Sequence, residues 1–369
     1  MIRFPKDEPM TPEIRAQYNE ASRPYVEGGG AITLRETSMM SWRYFLEINS
    51  ACNLACPTCA QGNKESHEHQ TGIMDWDLML RCIEKIKNEN NQAVVLLYGN
   101  SEPFLHPRLA ECIKAVKAQG LRCEISTNLN HIHSLDEVLN SGLDFMIISV
   151  SGFTQEIYAR GHTGGKIERV KENMRLLSGA RARVGNKFPI FINYHTYNDN
   201  EHEIPLMKAY AESLGFGFFT SFARAISMEN TLQYLRMKEE GEDGGSPKYD
   251  VQPGKPDWNL VLPPVCTRYI DAMNRLKIPP QDAIPMYQHY PVMPVCPVGD
   301  MFTFIRHDGK VSLCACVSDR RLILGDYLSM SQEELSDARR GHAICKLCLK
   351  YRMNLYFHIV DREKWEVKI

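Results

Sequence analysis

The sequence predicts an α/β protein, a partial (β/α)6 TIM barrel followed by a small C-terminal β-hairpin and helix module. Two observations carry this reading. Six short apolar, β-rich runs alternate with amphipathic helical stretches from Trp42 onward, and turn or polar residues mark each strand-to-helix junction. Beyond a break in composition at 236–262, where charges, glycines and prolines crowd together without apolar period, an Asp-Gly turn lies between two alternating runs.

Taken in order, residues 1–41 lack strong periodicity, include Gly28–Gly30, and are read as an N-terminal extension. The barrel occupies 42–225. Its expected strands are Tyr44–Asn49, Ala93–Tyr98, Arg122–Thr127, Phe145–Val150, Pro189–His195 and Phe216–Phe222. The intervening helices are expected near Asp75–Asn88, Pro107–Ala118, Ser134–Asn140, Lys166–Leu177 and Glu201–Ser213. Short buried strands joined by helices imply a parallel sheet with right-handed crossovers, and six units rather than eight leave it open on one side. Residues 226–290 read as a linker with a connecting helix, and 291–369 as the C-terminal module.

With 369 residues and 43% hydrophobic content the chain can bury one large core plus a smaller unit. A net charge of −2 gives no electrostatic steering toward nucleic acid or anionic membrane. The polar N-terminus has no apolar signal region and no run approaches a membrane span, so a soluble, cytoplasmic protein is expected. Twelve cysteines are many for such a chain. In a reducing compartment they read as metal ligands or redox groups, the alternative being a disulfide framework of the kind found in small secreted domains. Cys82, Cys112 and Cys123 sit at apolar positions of helices or strands and are expected in the core.

Directly after the first strand comes CNLACPTC, with Cys52, Cys56 and Cys59 on one loop. Thiolates this close can hold three corners of an iron–sulfur cubane. No fourth cysteine follows within the next twenty residues, which leaves one position open, as catalytic metal centres do. A zinc knuckle is the alternative. In a barrel of this kind, chemistry gathers at the C-terminal ends of the strands. There the triad falls, together with GNSEP after the second strand and STNLN after the third.

Here the sequence resembles the radical S-adenosylmethionine (SAM) superfamily, whose hallmark is CX3CX2C on a partial (β/α)6 barrel. The resemblance implies that the open iron chelates the amino and carboxylate groups of SAM. One electron then cleaves the sulfonium to give methionine and a 5′-deoxyadenosyl radical, which abstracts hydrogen from a C–H bond. An electron donor of the flavodoxin or ferredoxin type is implied as well. Thr58 departs from the pattern, because an aromatic residue usually precedes the third cysteine. Adenine packing is then expected from elsewhere, with Tyr98 or a sixth-strand aromatic as candidates.

YGNSEP resembles the family's Gly-Gly-Glu-Pro element, with Glu102 and Pro103 retained and Ser101 where glycine is usual. Tyr98, Gly99, Asn100, Ser101 and Glu102 are therefore candidate cofactor contacts, the backbone of Gly99–Glu102 receiving the methionine ammonium. Further candidates are Asn128 after strand three, Ser149 and Ser151 at the end of strand four, and Asn193 and His195 on strand five. The two-residue period places Ser149 and Ser151 on one face. Each of these is equally readable as a satisfied polar group at a strand end.

The stretch MFTFIRHDGKVSLC reads as a hairpin that brings Cys296 and Cys314 together near its base, and a helix over Ser331–Arg340 leads into CKLC with Cys345 and Cys348. This resembles the twitch module, a shortened SPASM domain with C-X9–15-G-X4-C and a later CX2C. It implies a single auxiliary 4Fe–4S cluster ligated by Cys296, Cys314, Cys345 and Cys348; a zinc ribbon is the alternative. Cys316 and Cys266 stand outside this set and are candidate hydrogen-atom donors, or buried thiols.

Twitch-type relatives include an aminocyclitol dehydrogenase and the GTP cyclase of molybdenum-cofactor synthesis, the latter disfavoured because a twin-glycine ending is missing from EVKI. SPASM-type peptide maturases often carry an N-terminal recognition domain, for which the 41 residues before the barrel are short. The expectation is a radical SAM oxidoreductase acting on a small polar molecule of sugar, aminocyclitol or nucleoside type. Arg224, Arg160 and His162 are candidate substrate contacts, with surface ion pairing as the alternative for the arginines. A peptide maturase, a radical epimerase with a cysteine hydrogen donor, and a non-enzymatic iron–sulfur carrier or sensor stay open.

Overall fold

The computed structural model describes residues 43–59, 61–63, 71–185, 188–225, 227–228, 230–231, 234–235, 267–287, 296, 299, 302–317, 319 and 322–358. Nine described strands form one sheet. β1 (Arg43–Leu46), β2 (Val94–Leu96), β3 (Arg122–Thr127), β4 (Phe145–Val150), β5 (Ile190–Thr196) and β6 (Gly217–Phe222) stand side by side in chain order, each parallel to the next. Between them run α1 (Trp76–Glu89), α2 (Leu109–Ala118), α3 (Leu135–Leu139), α4 (Gln155–Gly161), α5 (Ile167–Val184) and α6 (Ile204–Ser213). This is the repeating β/α order of a partial TIM barrel.

Alternation along the strands decides the two faces of the sheet. Tyr44, Leu46, Ile125, Met146, Ile148, Ile192 and Tyr194 are buried under the helices. Each fully buried apolar side chain contributes roughly 1.5–3 kcal/mol. Phe45, Ser126, Ser149, Asn193 and His195 alternate with them on the other, half-buried face. The helices dock by matching stripes: Met79, Cys82, Ile83 and Ile86 line one face of α1, which starts at an Asp75 cap accepting from Leu78 N at 3.0 Å. Cys82, Cys112 and Cys123 lie in this core.

The C-terminal hairpin joins the same sheet. β7 (Phe302–Ile305) lies parallel against β1, and β8 (Lys310–Ser312) and β9 (Ile323–Asp326) follow antiparallel. The turn at Asp308-Gly309 uses a left-handed glycine, φ 78°. A polar knot fastens this part to α1. Glu89 accepts from Tyr44 Oη at 3.0 Å, Tyr327 Oη at 2.6 Å and Gln332 Nε2 at 2.9 Å, and pairs with Lys85. Two helices complete the connecting segment, α7 (Thr267–Arg275) and α8 (Pro280–Tyr287). Three more end the described chain, α9 (Gln332–Gly341), α10 (Ala343–Lys350) and α11 (Met353–His358).

Strands three and four match the sequence reading residue for residue, and the others within three residues at either end. Several elements differ, among them α8, α10 and α11, for which no helix was expected. α5 runs on to Val184 rather than Leu177, its polar Ser178–Val184 turns closing at Gly185 with φ 66°. α4 occupies a stretch for which no element was expected, and β9 was not expected either. The composition break at 236–262, Cys266 and the N-terminal extension before Arg43 lie outside the described residues.

Candidate active site

The loops that follow β1, β2 and β3 meet at one end of the sheet, and backbone and amide groups tie them together. Asn49 is the pin: its Nδ2 donates to Glu102 O at 3.1 Å, while its Oδ1 accepts from Ala51 N at 2.9 Å. Glu102 N donates to Ala51 O at 2.9 Å. The triad loop carrying Cys52, Cys56 and Cys59 is thereby joined to the Gly99–Glu102 loop. Both sit beside Asn128, whose Nδ2 donates to Asn53 Oδ1 at 2.9 Å and to Cys52 Sγ at 3.8 Å.

The three cysteines are half-buried, and the loop around them is tight. Cys59 N donates to Cys56 O, and a Cβ on Gly62 would lie 2.1 Å from Cys56 O. Burial pushes the Cys52 thiol up to about 12, so a thiolate at this position needs a cation beside it, which iron supplies. Among the described residues no group of three or more His, Cys, Asp or Glu side chains is placed to hold a metal ion. A cubane asks for a different spacing, since its corner irons hold the thiolates farther apart than one shared ion does. The donor chemistry, three soft sulfurs with an amide N–H directed at one of them, fits an iron–sulfur cluster.

Glu102 is buried, and its carboxylate accepts from Thr127 Oγ1 at 2.7 Å, Asn128 N at 2.7 Å and Phe104 N at 3.1 Å. Burial raises its pKa to about 7 against the pull of those donors. Its side chain therefore braces the loops, and its carbonyl is engaged by Asn49. Next to it, Ser101 Oγ is buried without a hydrogen-bond partner among the described residues. That orphaned hydroxyl fits a polar ligand end such as the amino acid portion of SAM. Gly99 serves packing, because a Cβ there would meet Phe304 Cζ of β7 at 2.5 Å. Tyr98 packs edge-on against Phe45 at 5.6 Å.

The remaining strand-end candidates divide. Ser126 and Ser149 face each other with Oγ atoms 3.4 Å apart. Asn193 Oδ1 accepts from Ser221 Oγ at 2.7 Å, and Ser221 Oγ lies 3.4 Å from His195 Nδ1. These form a half-buried polar ladder on the inner face of β3 to β6. Ser151 does not join it. β4 ends at Val150 and the strand period ends with it, so Ser151 is buried with Oγ 2.6 Å from His162 Nδ1. His162 is itself buried and stacked on Tyr158 at 4.9 Å, satisfied rather than presented to a substrate. Arg160 pairs with Asp199 at 3.0 Å and Glu156 at 2.6 Å, the ion-pair alternative.

Arg224 follows β6 and is exposed, and its charge acts on His195 and on Cys316 alike. In the C-terminal module, Cys314, Cys316, Cys345 and Cys348 pack against one apolar cluster with Leu313, Leu322, Ile344 and Met353. Cys296, Cys314 and Cys345 all act electrostatically on Cys348. Cys345 and Cys348 share a face of α10 by their three-residue spacing. Cys316 lies beside this set, its N–H donating to Cys314 Sγ at 3.4 Å. Its thiol is pushed up by Cys314 and by burial.

Asn49, Asn53, Thr127 and Asn130 belong to the site and were not anticipated. Asn130 accepts from Lys166 N at 2.7 Å and donates to Tyr158 Oη at 2.8 Å. The only available signal was the density of asparagines in INSACN and TNLN.

An incomplete parallel barrel with three thiols at its mouth, an amide on one sulfur and the orphaned Ser101 hydroxyl beside them fits an iron–sulfur, SAM-binding scaffold. Residues 46–205 match the model of the radical SAM superfamily, so the chain carries a radical SAM domain. The chain is 29% identical over 178 residues to a tungsten-containing aldehyde ferredoxin oxidoreductase cofactor-modifying protein of Pyrococcus furiosus, covering 46% of this chain and 48% of the relative. It is 24% identical over 174 residues to a probable GTP 3′,8-cyclase of Methanococcus maripaludis, covering 46% and 55%. The matches thus span about half the length of these curated relatives. The crystal structure of Streptococcus suis SuiB bound to precursor peptide SuiA shares the fold. Its TM-score is 0.51 at 10% identity, over 94% of this chain and 74% of that one. No helix among the described residues is long and apolar enough to cross a membrane.

Proposed function

We propose that this chain is a two-cluster radical SAM oxidoreductase acting on a small polar substrate of sugar, aminocyclitol or nucleoside type. The observation that supports the reading is a second group of thiols: Cys314, Cys345 and Cys348 pack against one apolar cluster in the C-terminal module, and Cys296 and Cys314 both act electrostatically on Cys348. When loaded, the triad cluster supplies one electron that cleaves SAM to methionine and a 5′-deoxyadenosyl radical, drawn from a flavodoxin- or ferredoxin-type donor. The chain's own residues do the rest. Ser101 and the Gly99–Glu102 backbone take the amino acid end of SAM, and Asn128 donates a hydrogen bond to Cys52 Sγ. Ser149, Asn193 and His195 offer hydrogen bonds to the ribose.

Arg224 holds the substrate, its guanidinium favouring electron-rich or anionic groups. A cluster held by Cys296, Cys314, Cys345 and Cys348 would supply an acceptor for the one electron that, with one hydrogen atom and one proton, leaves a secondary alcohol on its oxidation to a ketone. Cys316, beside the set, and Cys266 are the alternative hydrogen-atom donors if the outcome is epimerisation. The half-buried polar ladder on β3 to β6 supports a polar reactant.

The test is deuterium transfer. Loaded protein, dithionite and SAM are incubated with C-deuterated polar candidates, and 5′-deoxyadenosine is analysed by mass. Deuterium gained from a sugar-like substrate supports the reading. Transfer only from a short peptide encoded by a neighbouring gene would move it to ribosomal peptide maturation.

A further inference from the structure

The triad loop is gripped on the side of its third cysteine by the loop that follows β5, at the same end of the parallel sheet. Thr58, adjacent to Cys59, is buried, and its Oγ1 lies 3.4 Å from Tyr197 Oη. Tyr197 follows β5, and its ring is buried among Ala223, Tyr269, Met273 and Leu276.

Every part of this tyrosine is held. Its N–H donates to Asn200 Oδ1 at 2.7 Å, and its backbone forms an antiparallel bridge with Leu276. The Arg275 guanidinium lies 4.7 Å from the ring centroid. Arg275 is fixed in turn, donating to Asp199 at 2.8 and 3.0 Å and to Arg160 O at 2.9 Å, while its own carbonyl accepts from Asn198 N at 3.0 Å. A side chain restrained at ring, hydroxyl and backbone has one position, and it imposes that position on whatever its hydroxyl touches.

We propose that Tyr197 is a positioning residue for the triad: through Thr58 it fixes the loop bearing Cys56 and Cys59, with Arg275 at the end of α7 as its brace. The segment after the barrel thereby governs how firmly the SAM cluster is retained. The inference rests on the triad holding a cluster, which the first measurement checks separately.

Tyr197→Phe and Thr58→Val each remove one side of the contact while keeping the volume. Full-length protein is reconstituted anaerobically. Iron and sulfide are counted, the reduced EPR spectrum is recorded with and without SAM, and iron loss to a ferrous chelator is followed through the SAM-responsive signal. Both variants are expected to melt as the parent does yet lose that signal about two- to tenfold faster, the scale of one hydrogen bond. The double variant should be no faster than either single, because both remove one interaction. Parent-like rates in both singles, or additive effects in the double, would overturn the proposal. A parent without any SAM-responsive signal would instead sink the cluster reading. If Tyr197→Phe melts early, Thr58→Val decides alone.

Discussion

Cys52 and Asn128, 76 residues apart, meet at the mouth of the barrel, where the Asn128 amide donates to Cys52 Sγ at 3.8 Å and to Asn53 Oδ1 at 2.9 Å. Donors to cluster sulfurs stabilise the more negative, reduced state. Asn128→Leu should therefore move the SAM-cluster potential to a more negative value. An EPR-monitored redox titration checks this, and an unchanged or raised potential would contradict it.

Glu102 gathers three donors inside the protein, from Thr127, Asn128 and Phe104. Glu102→Ala strands them, and leaving buried donors unmade costs about 1–3 kcal/mol each. The expected loss is at least about 2 kcal/mol, with a smaller one for Glu102→Gln, which keeps one acceptor oxygen. Chemical denaturation of the three proteins tests the order.

His162 is the acid-sensitive point of the core. Burial, together with the neighbouring His195, lowers its pKa to about 3, against about 6.5 in an unfolded chain. The folded protein keeps it neutral while the unfolded chain takes a proton. Stability is thus complete above about pH 6.5 and declines as pH falls toward 3, by up to about 1.4 kcal/mol per pH unit. His162→Gln should have a flatter melting profile between pH 6.5 and 5 than the parent. An equal slope would show that other groups carry the acid sensitivity.

Much of this architecture was legible because it rests on short-range pattern. The alternation in Arg122–Thr127 and Phe145–Val150 fixed strand ends to the residue, since both are buried on the helix side and bounded by polar turns. α4 was missed because its seven residues, QEIYARG, are too few for a helical period to emerge beside flanking glycines. β9 was missed because LILGD gains its strand character only by pairing with β8. The cysteines declared the triad, but its supports did not. Asn49, Asn130 and Tyr197 act through partners 28 to 139 residues away, and nothing local marks such contacts. Thr58, where the resemblance expects an aromatic residue, acquires its partner ring only in three dimensions.

The C-terminal set makes its own prediction. If Cys296, Cys314, Cys345 and Cys348 hold a second cubane, the loaded parent carries about eight irons and Cys348→Ser about four. The SAM-induced change in the EPR spectrum should survive in that variant. Zinc in place of the second four irons would establish the ribbon alternative.

Every role assigned above depends on an open cluster at Cys52, Cys56 and Cys59 that cleaves SAM. Its most direct test is anaerobic incubation of iron-loaded protein with dithionite and SAM, followed by chromatography for 5′-deoxyadenosine, with Cys56→Ala in parallel. The parent is expected to give 5′-deoxyadenosine and methionine, and the variant neither. Intact SAM with a fully loaded, reduced parent would contradict it.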